Sequence, residues 1–379
     1  MEQAMDSLTF QIARCQHWLT QHALPRWQKT QSSQNGIFAE GLLSDTQEFS
    51  DDLIRFRVQP RQVYVFAHAT ELNLIDGRNQ VLAAIEQGFT HFGSPSSGYR
   101  FSLCASNDSK SEAIHLYEQA FALLGFAWHY KLAADEHSLH SMEAIYQYIS
   151  THLWDTEQGG FFLTEGNTVN KGQNPHMHLF EALMVSYEHT DNPIWLERAT
   201  QIYQLFQTHF MQSDHLAEFF QADFSLDVET GTHIDPGHHY EWIWLLSHYQ
   251  KLTGVDVQKN IDVLYHFAHQ YGHNDNGLVR DEIYANGKPL RSTSRLWCQT
   301  EYLKACIALW ERDPSGTRRA AVSQAVEHIF VHYLNPALPG LWVDQVDSTG
   351  EPLNEHSPAS SFYHLFLAFS ELLRIANKD

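Results

Sequence analysis

Apolar residues recur at three- and four-residue intervals over long stretches of the chain. Between 111 and 132, Ile114, Leu116, Tyr117, Phe121, Leu124 and Trp128 fall on one stripe, with Ser111 and Glu112 as a start signal. That period belongs to a helix, not a strand. The same period predicts helices over 61–74, 176–187, 194–210, 238–252, 255–271, 294–310, 318–333 and 360–375. Three more are expected near 6–20, 80–92 and 139–153, so about twelve helices leave little room for a large sheet.

The breaks between helices form a second pattern. Gly36-Ile37-Phe38, Gly98-Tyr99-Arg100, Gly160-Phe161-Phe162, Ala217-Glu218-Phe219, Gly277-Leu278-Val279 and Gly340-Leu341-Trp342 are short β-like stretches that run into turn residues. Turns follow at 105–108, 165–167, 285–287 and 348–350, among others. The stretches start 57 to 63 residues apart, six times in all. A repeat of this length holds one hairpin-like loop and two helices, and six copies give twelve helices. The expected fold is all-α: an (α/α)6 barrel with short β-hairpin-like loops, built as a single domain over 1–379. The alternative is an open α-solenoid.

Composition narrows the function. Hydrophobic residues make up 43% of 379, enough for a large core. Asp and Glu number 45 against 24 Lys and Arg, a formal charge of −21. Phosphate backbones and anionic membranes would be repelled, so neither nucleic acid nor membrane is an expected partner. No apolar run approaches the roughly 20 residues of a membrane span, and residues 1–21 show no secretory signal. Cys15, Cys104, Cys298 and Cys306 are scattered and form no C-x-x-C, which fits a reducing cytoplasm. The 25 His exceed Lys and Arg together and raise the question of metal binding.

Five helix starts combine His, acids, Arg and aromatics: Arg57 to Tyr64, Asn174 to Glu181, Asp235 to Trp242, Arg295 to Glu301, and Ser360 to Phe366. His178 and Glu181 share a helix face at spacing three, and His238 and Glu241 repeat that arrangement one unit later. His176 and His178, two apart on a helix, diverge by about 200° and make a poor metal pair. A di-metal bundle uses Glu-x-x-His, the reverse of the order found here. No metal and no cofactor is expected. Each cluster also has a plain reading: Arg57 and Arg61 as a solvated pair, Trp297 and Glu301 on a surface, His364 as a core histidine.

Taken together, Asn174-x-x-x-His178-Leu179-x-Glu181, Gly237-His238-x-x-Glu241-Trp242, Arg295-x-Trp297-x-Gln299-x-Glu301 and Tyr363-His364-Leu365 resemble the N-acylglucosamine 2-epimerase superfamily. Gln59-x-Arg61-Gln62-x-Tyr64 and Leu116-Tyr117-x-x-Ala120-Phe121 extend the resemblance in the same order. It implies an (α/α)6 barrel and metal-free acid/base chemistry at C1 and C2 of a sugar. By the resemblance His364 is the base at C2, His238 its partner, and Glu241 the group that tunes His238. His178 and Arg61 would hold hydroxyls and an enediolate oxygen. Asn174, Glu181, Arg57, Tyr117, Trp297 and Glu301 complete the expected substrate-binding set. The implied substrate is a monosaccharide, with interconversion of D-mannose and D-fructose as the first expectation, because the loops look too short for a disaccharide subsite. A sugar 2-epimerase, an (α/α)6 glycoside hydrolase using Glu181, Glu241 or Glu301, and a non-catalytic sugar-binding toroid are the alternatives. A homo-oligomer stays open.

Overall fold

The computed structural model describes residues 7–43, 53–104, 111, 113–334, 338–354 and 356–376. The turn expected at 105–108 lies outside the described residues. Twelve helical runs are present among the described residues. They are α1 (Ser7–Trp18), α2 (Val58–Glu71), α3 (Arg78–Ala83), α4 (Leu116–Ala133), α5 (Glu136–His152) and α6 (Gln173–Thr190). There follow α7 (Pro193–Leu205), α8 (Pro236–Thr253), α9 (Gln258–Tyr271), α10 (Leu296–Arg312), α11 (Gly316–His332) and α12 (Ala359–Ala376). Wider π turns extend α1, α3 and α7 through Leu19–Ala23, Ala84–Gly88 and Phe206–Phe210.

The helix expected from 111 starts only at Leu116. Upstream of it the Ser111 amide donates to Ser102, and His115 bridges Thr164. Pairing with other loops holds that segment extended despite its helical pattern. Pro60 stands in the first turn of α2, where its missing N–H costs no helical bond.

Even-numbered helices form an inner ring and odd-numbered ones an outer ring. α12 packs against both α10 and α2, which closes the circle. Gly41–Leu43 pairs antiparallel with His356–Pro358, Gly41 opposite Pro358, and ties the first loop to the last. The molecule is therefore a closed (α/α)6 barrel, not an open solenoid.

Burial follows from position in the rings. Every residue of α4 from Glu118 to His129 is buried, because neighbours cover the helix on all sides. Outer α9 buries only Ile261, Leu264, Phe267 and Ala268, one stripe at helical spacing.

One device recurs in each unit. A side chain at the start of an inner helix bonds the backbone of the preceding loop. Gln59, Gln119 and Gln299 each accept from the amide and donate to the carbonyl of Phe38, Tyr99 and Val279. His176 Nε2 accepts from the Phe161 amide and His239 Nε2 from that of Leu216. Ser357 does the same for Trp342. The loops turn at Gly36, Gly98, Gly160, Gly277 and Gly340, all with φ between 71° and 88°, where a side chain would be strained.

Candidate active site

The N-terminal ends of the inner helices open into a funnel with a cavity of about 440 Å³. That lies at the lower end of ordinary ligand pockets, about 300–1,000 Å³. Outer helices α5, α7 and α11 are capped by Asp135, Asn192 and Ser315. Inner helices α2, α4, α6, α8 and α10 carry no side-chain cap. The first amides of α4, α6 and α10 donate to the loop carbonyls of Leu163, Glu218 and Asp344, and the positive dipole ends of these helices favour a developing negative charge in the funnel.

The repeat places the chemistry. Two residues after the anchoring side chains Gln59, Gln119, His176, His239 and Gln299 come Arg61, Phe121, His178, Glu241 and Glu301. The matching position on α12 is His364. All six are buried, and they ring the barrel axis.

His364 lines the cavity and meets Glu301 Oε1 at 2.8 Å through Nδ1. Burial and the nearby charges of Arg61 and Lys304 hold its pKa well below the usual imidazole value. It is a neutral imidazole. Burial raises the Glu301 pKa and Lys304 opposes that rise; with Glu301 ionised, the imidazole proton sits on Nδ1 toward it and Nε2 is the free base. His238 is its opposite. Burial opposes its charge, but Glu218, 3.0 Å from Nδ1, and Asp235, at 3.5 Å, raise its pKa to about 10. It is an imidazolium at neutral pH. The Trp297 ring lies between the two, 5.0 Å from His238 and 5.9 Å from His364. Gly237 makes room for it: a Cβ there would lie 2.6 Å from the indole.

Across the axis, His178 is pushed down to about 4 by burial, against the pull of Glu181. Its Nδ1 faces Glu181 at 3.4 Å and Glu241 at 4.0 Å. Tyr363 donates to Glu181 at 2.5 Å. Burial and the Glu301 carboxylate push Glu241 well above the carboxylate range. Arg61 donates to Tyr117 Oη at 2.6 Å and to the Ser360 carbonyl at 3.3 Å, while its Nε has no hydrogen-bond partner among the described residues.

The structure corrects several roles. The Nδ1 partner of His238 is Glu218 and not Glu241. The His238 ring turns toward the loop at 218, whereas Glu241, one turn on, points at the axis and His178. Glu301 is the partner of His364 and does not line the cavity. Glu181 is likewise held below it by Tyr363 and His178. Arg57 is paired with Glu118 at 2.5 Å, stacks 4.3 Å from the Tyr117 ring and stays outside the lining. Arg61, Tyr117, Asn174, His178, His238, Glu241, Trp297 and His364 do line it.

Arg55, Asp235, Arg295, Asp344, Gln345 and Ser361 join the lining. Glu218 and Asp344 carry a readable signal. Two residues after the anchored loop residues Phe38, Leu216, Val279 and Trp342 come Glu40, Glu218, Asp281 and Asp344. Each accepts from the start of an inner unit: Arg55, His238, the Arg295 amide and Ser361 respectively.

Two trios bring donor atoms within 4.8 Å: His178, Glu181 and Glu241, and Glu241, Glu301 and His364. His178 is 3.4 Å from Glu181 and His364 2.8 Å from Glu301, while Glu241 Oε2 has no hydrogen-bond partner among the described residues. The Lys304 ammonium lies 2.6 Å from Glu301 Oε2, which opposes a divalent cation at the second trio.

Fold and site together define a barrel enzyme with buried histidines in one funnel. The sequence model of the N-acylglucosamine 2-epimerase (GlcNAc 2-epimerase) family matches residues 36–368, and the chain belongs to that family. A protein of Rhizobium meliloti (strain 1021) named mannose-6-phosphate isomerase is 33% identical over 374 residues, covering 94% of this chain and 95% of that protein. A crystal structure of D-mannose isomerase superposes with a TM-score of 0.87 at 21% identity, covering 99% of this chain and 100% of the other. The cellobiose 2-epimerase of Bacillus thermoamylovorans B4167 gives 0.85 at 19% identity, covering 96% and 99%. The two structural likenesses bear on the fold.

Proposed function

We propose that this chain is an aldose–ketose isomerase that interconverts D-mannose and D-fructose. The observation that carries this reading is the pair of buried cavity histidines flanking Trp297, His238 against Glu218 and His364 against Glu301. Protonated His238 donates to the sugar oxygen that must gain a proton on ring opening. Neutral His364 removes the C2 proton, which is acidified by the adjacent carbonyl, and returns it to C1, while the O2 hydroxyl proton passes to O1 as the carbonyl moves from C1 to C2. Arg61 and the positive dipole ends of the inner helices stabilise the enediolate oxygen between the two steps. No step calls for a metal or cofactor. Cys15, Cys298 and Cys306 are buried free thiols, in keeping with a reducing compartment such as the cytoplasm. Among the described residues, no helix is long and apolar enough to cross a membrane.

A free sugar fits better than a sugar phosphate. Arg55 is engaged by Glu40, Arg295 stands 3.9 Å from Asp281, and Asp235 and Asp344 line the same wall. A phosphate dianion would meet carboxylates there. A 2-epimerase is the second reading, because two histidines in one cavity can serve the two faces of C2. Incubation with mannose, mannose 6-phosphate, glucose and cellobiose in D2O, followed by NMR, tests all of this. The expected result is fructose from mannose with deuterium at C1. Deuterium at C2 of glucose from mannose would establish the epimerase, and turnover of the phosphate alone would overturn the choice of a free sugar.

A further inference from the structure

Beneath His364 the barrel core holds a second charged group that the acid/base pair does not use directly. Lys304, one turn after Glu301 on α10, places its ammonium 2.6 Å from Glu301 Oε2. Both side chains are wholly buried. Glu301 Oε1 meets His364 Nδ1 at 2.8 Å, so Lys304, Glu301 and His364 form a line running from the core into the cavity. The ammonium also lies 4.2 Å from the Trp244 ring centre. Matching positions on the other inner helices hold Tyr64, Leu124, Glu181, Trp244 and Leu367. Lys304 is the cation of that layer.

Burying an isolated ion pair costs more than burying apolar residues of the same size. A purely structural account would favour another Leu. The geometry points to function instead. Deprived of a cation, a buried carboxyl beside Glu241 and Glu181 takes up a proton. It would then donate to His364 Nδ1, and the imidazole proton would move to Nε2, the atom that must be free. The other groups facing this pair are His178 from α6, Arg61 from α2 and Tyr363 from α12. None of them is the ion-pair partner of Glu301 Oε2 among the described residues.

We propose that Lys304 is a positioning residue that keeps Glu301 a carboxylate and so fixes His364 with its proton on Nδ1 and Nε2 free. The proposal rests on the reading of His364 as the base, and the tests separate the two. In protein with ¹⁵N-labelled histidine, wild-type His364 should carry its proton on Nδ1 at neutral pH. In Lys304→Met it should carry it on Nε2. The kcat of Lys304→Met at pH 7 should fall at least about tenfold, with KM little changed, and should recover as pH rises and Glu301 ionises. An unchanged tautomer, or a loss that does not respond to pH, overturns the proposal. If Lys304→Met fails to fold, the ¹³C carboxyl signal of Glu301 in the wild type decides instead. An ionised carboxylate across the neutral range is expected, and a protonated one overturns the proposal. His364→Ala judges the parent reading separately. If this variant exchanges the C2 proton at the wild-type rate, the base lies elsewhere, and the tautomer still reports on Lys304.

Discussion

At the scale of single residues, environment decides what each histidine is. His176, His178, His238, His239 and His364 are all buried near the same end of the barrel. Two anchor loops, one faces carboxyl groups across the axis, one is charged and one is neutral. Glu218 accounts for the charge on His238, and Gln173 holds that carboxylate in turn at 2.6 Å. Glu218→Gln should therefore lower the His238 pKa from about 10 toward the ordinary imidazole value of about 6.5. In a pH profile of kcat/KM, the alkaline limb should move down toward neutrality. A limb that stays in place would mean that His238 is not the acid. The same pair affects stability. The folded pKa lies above the unfolded one, so its contribution is complete below about pH 6.5 and is lost as pH rises through about 10.

At the scale of elements, the unit of construction is a loop tied to the next inner helix by one side chain. Where that side chain is Gln, both backbone groups of a buried loop residue depend on it. Replacing Gln299 with Leu strands the amide and the carbonyl of Val279, at about 1–3 kcal/mol for each group. Denaturant unfolding should show a loss of about 2–6 kcal/mol for the two groups together. A change below about 0.5 kcal/mol would mean that the loop finds other partners. The helices themselves were readable from the 3.6-residue period, with ends shifted by a few residues. The start of α4 was not, because its upstream segment is held extended by Ser102 and Thr164, which are near in space. The pairing of Glu218 with His238 was hidden for a similar reason. The carboxylate arrives on a loop 20 residues upstream, whereas Glu241 sits at the helical spacing that invites a pairing.

At the scale of the whole molecule, closure of the ring creates the site. Arg61 comes from the first unit and His364 from the last, yet Arg61 reaches the Ser360 carbonyl. That contact exists only if α12 packs on α2. Of the cavity's carboxylates, Asp235 faces His238 and Asp344 accepts from Ser361, while the Lys304 ammonium beneath Glu301 opposes a divalent cation, so EDTA should leave turnover unchanged. Loss of activity that zinc or manganese restores would contradict this arrangement. The net charge of −21 dominates the surface, and solubility measured against pH should be poorest near the sequence pI of about 5.5.

The sequence by itself determined the helices, the sixfold repeat of about 60 residues and the set of polar helix starts. These are local and periodic properties, carried by side-chain spacing and by turn residues. Tertiary structure alone decided which carboxylate serves which histidine, that Arg57 and Glu181 stand back from the cavity, and that Lys304 lies beneath Glu301. Proton positions depend on desolvation and on charges a few ångströms away. In a closed barrel those charges come from helices as far as 300 residues apart in the chain, where no sequence spacing records them.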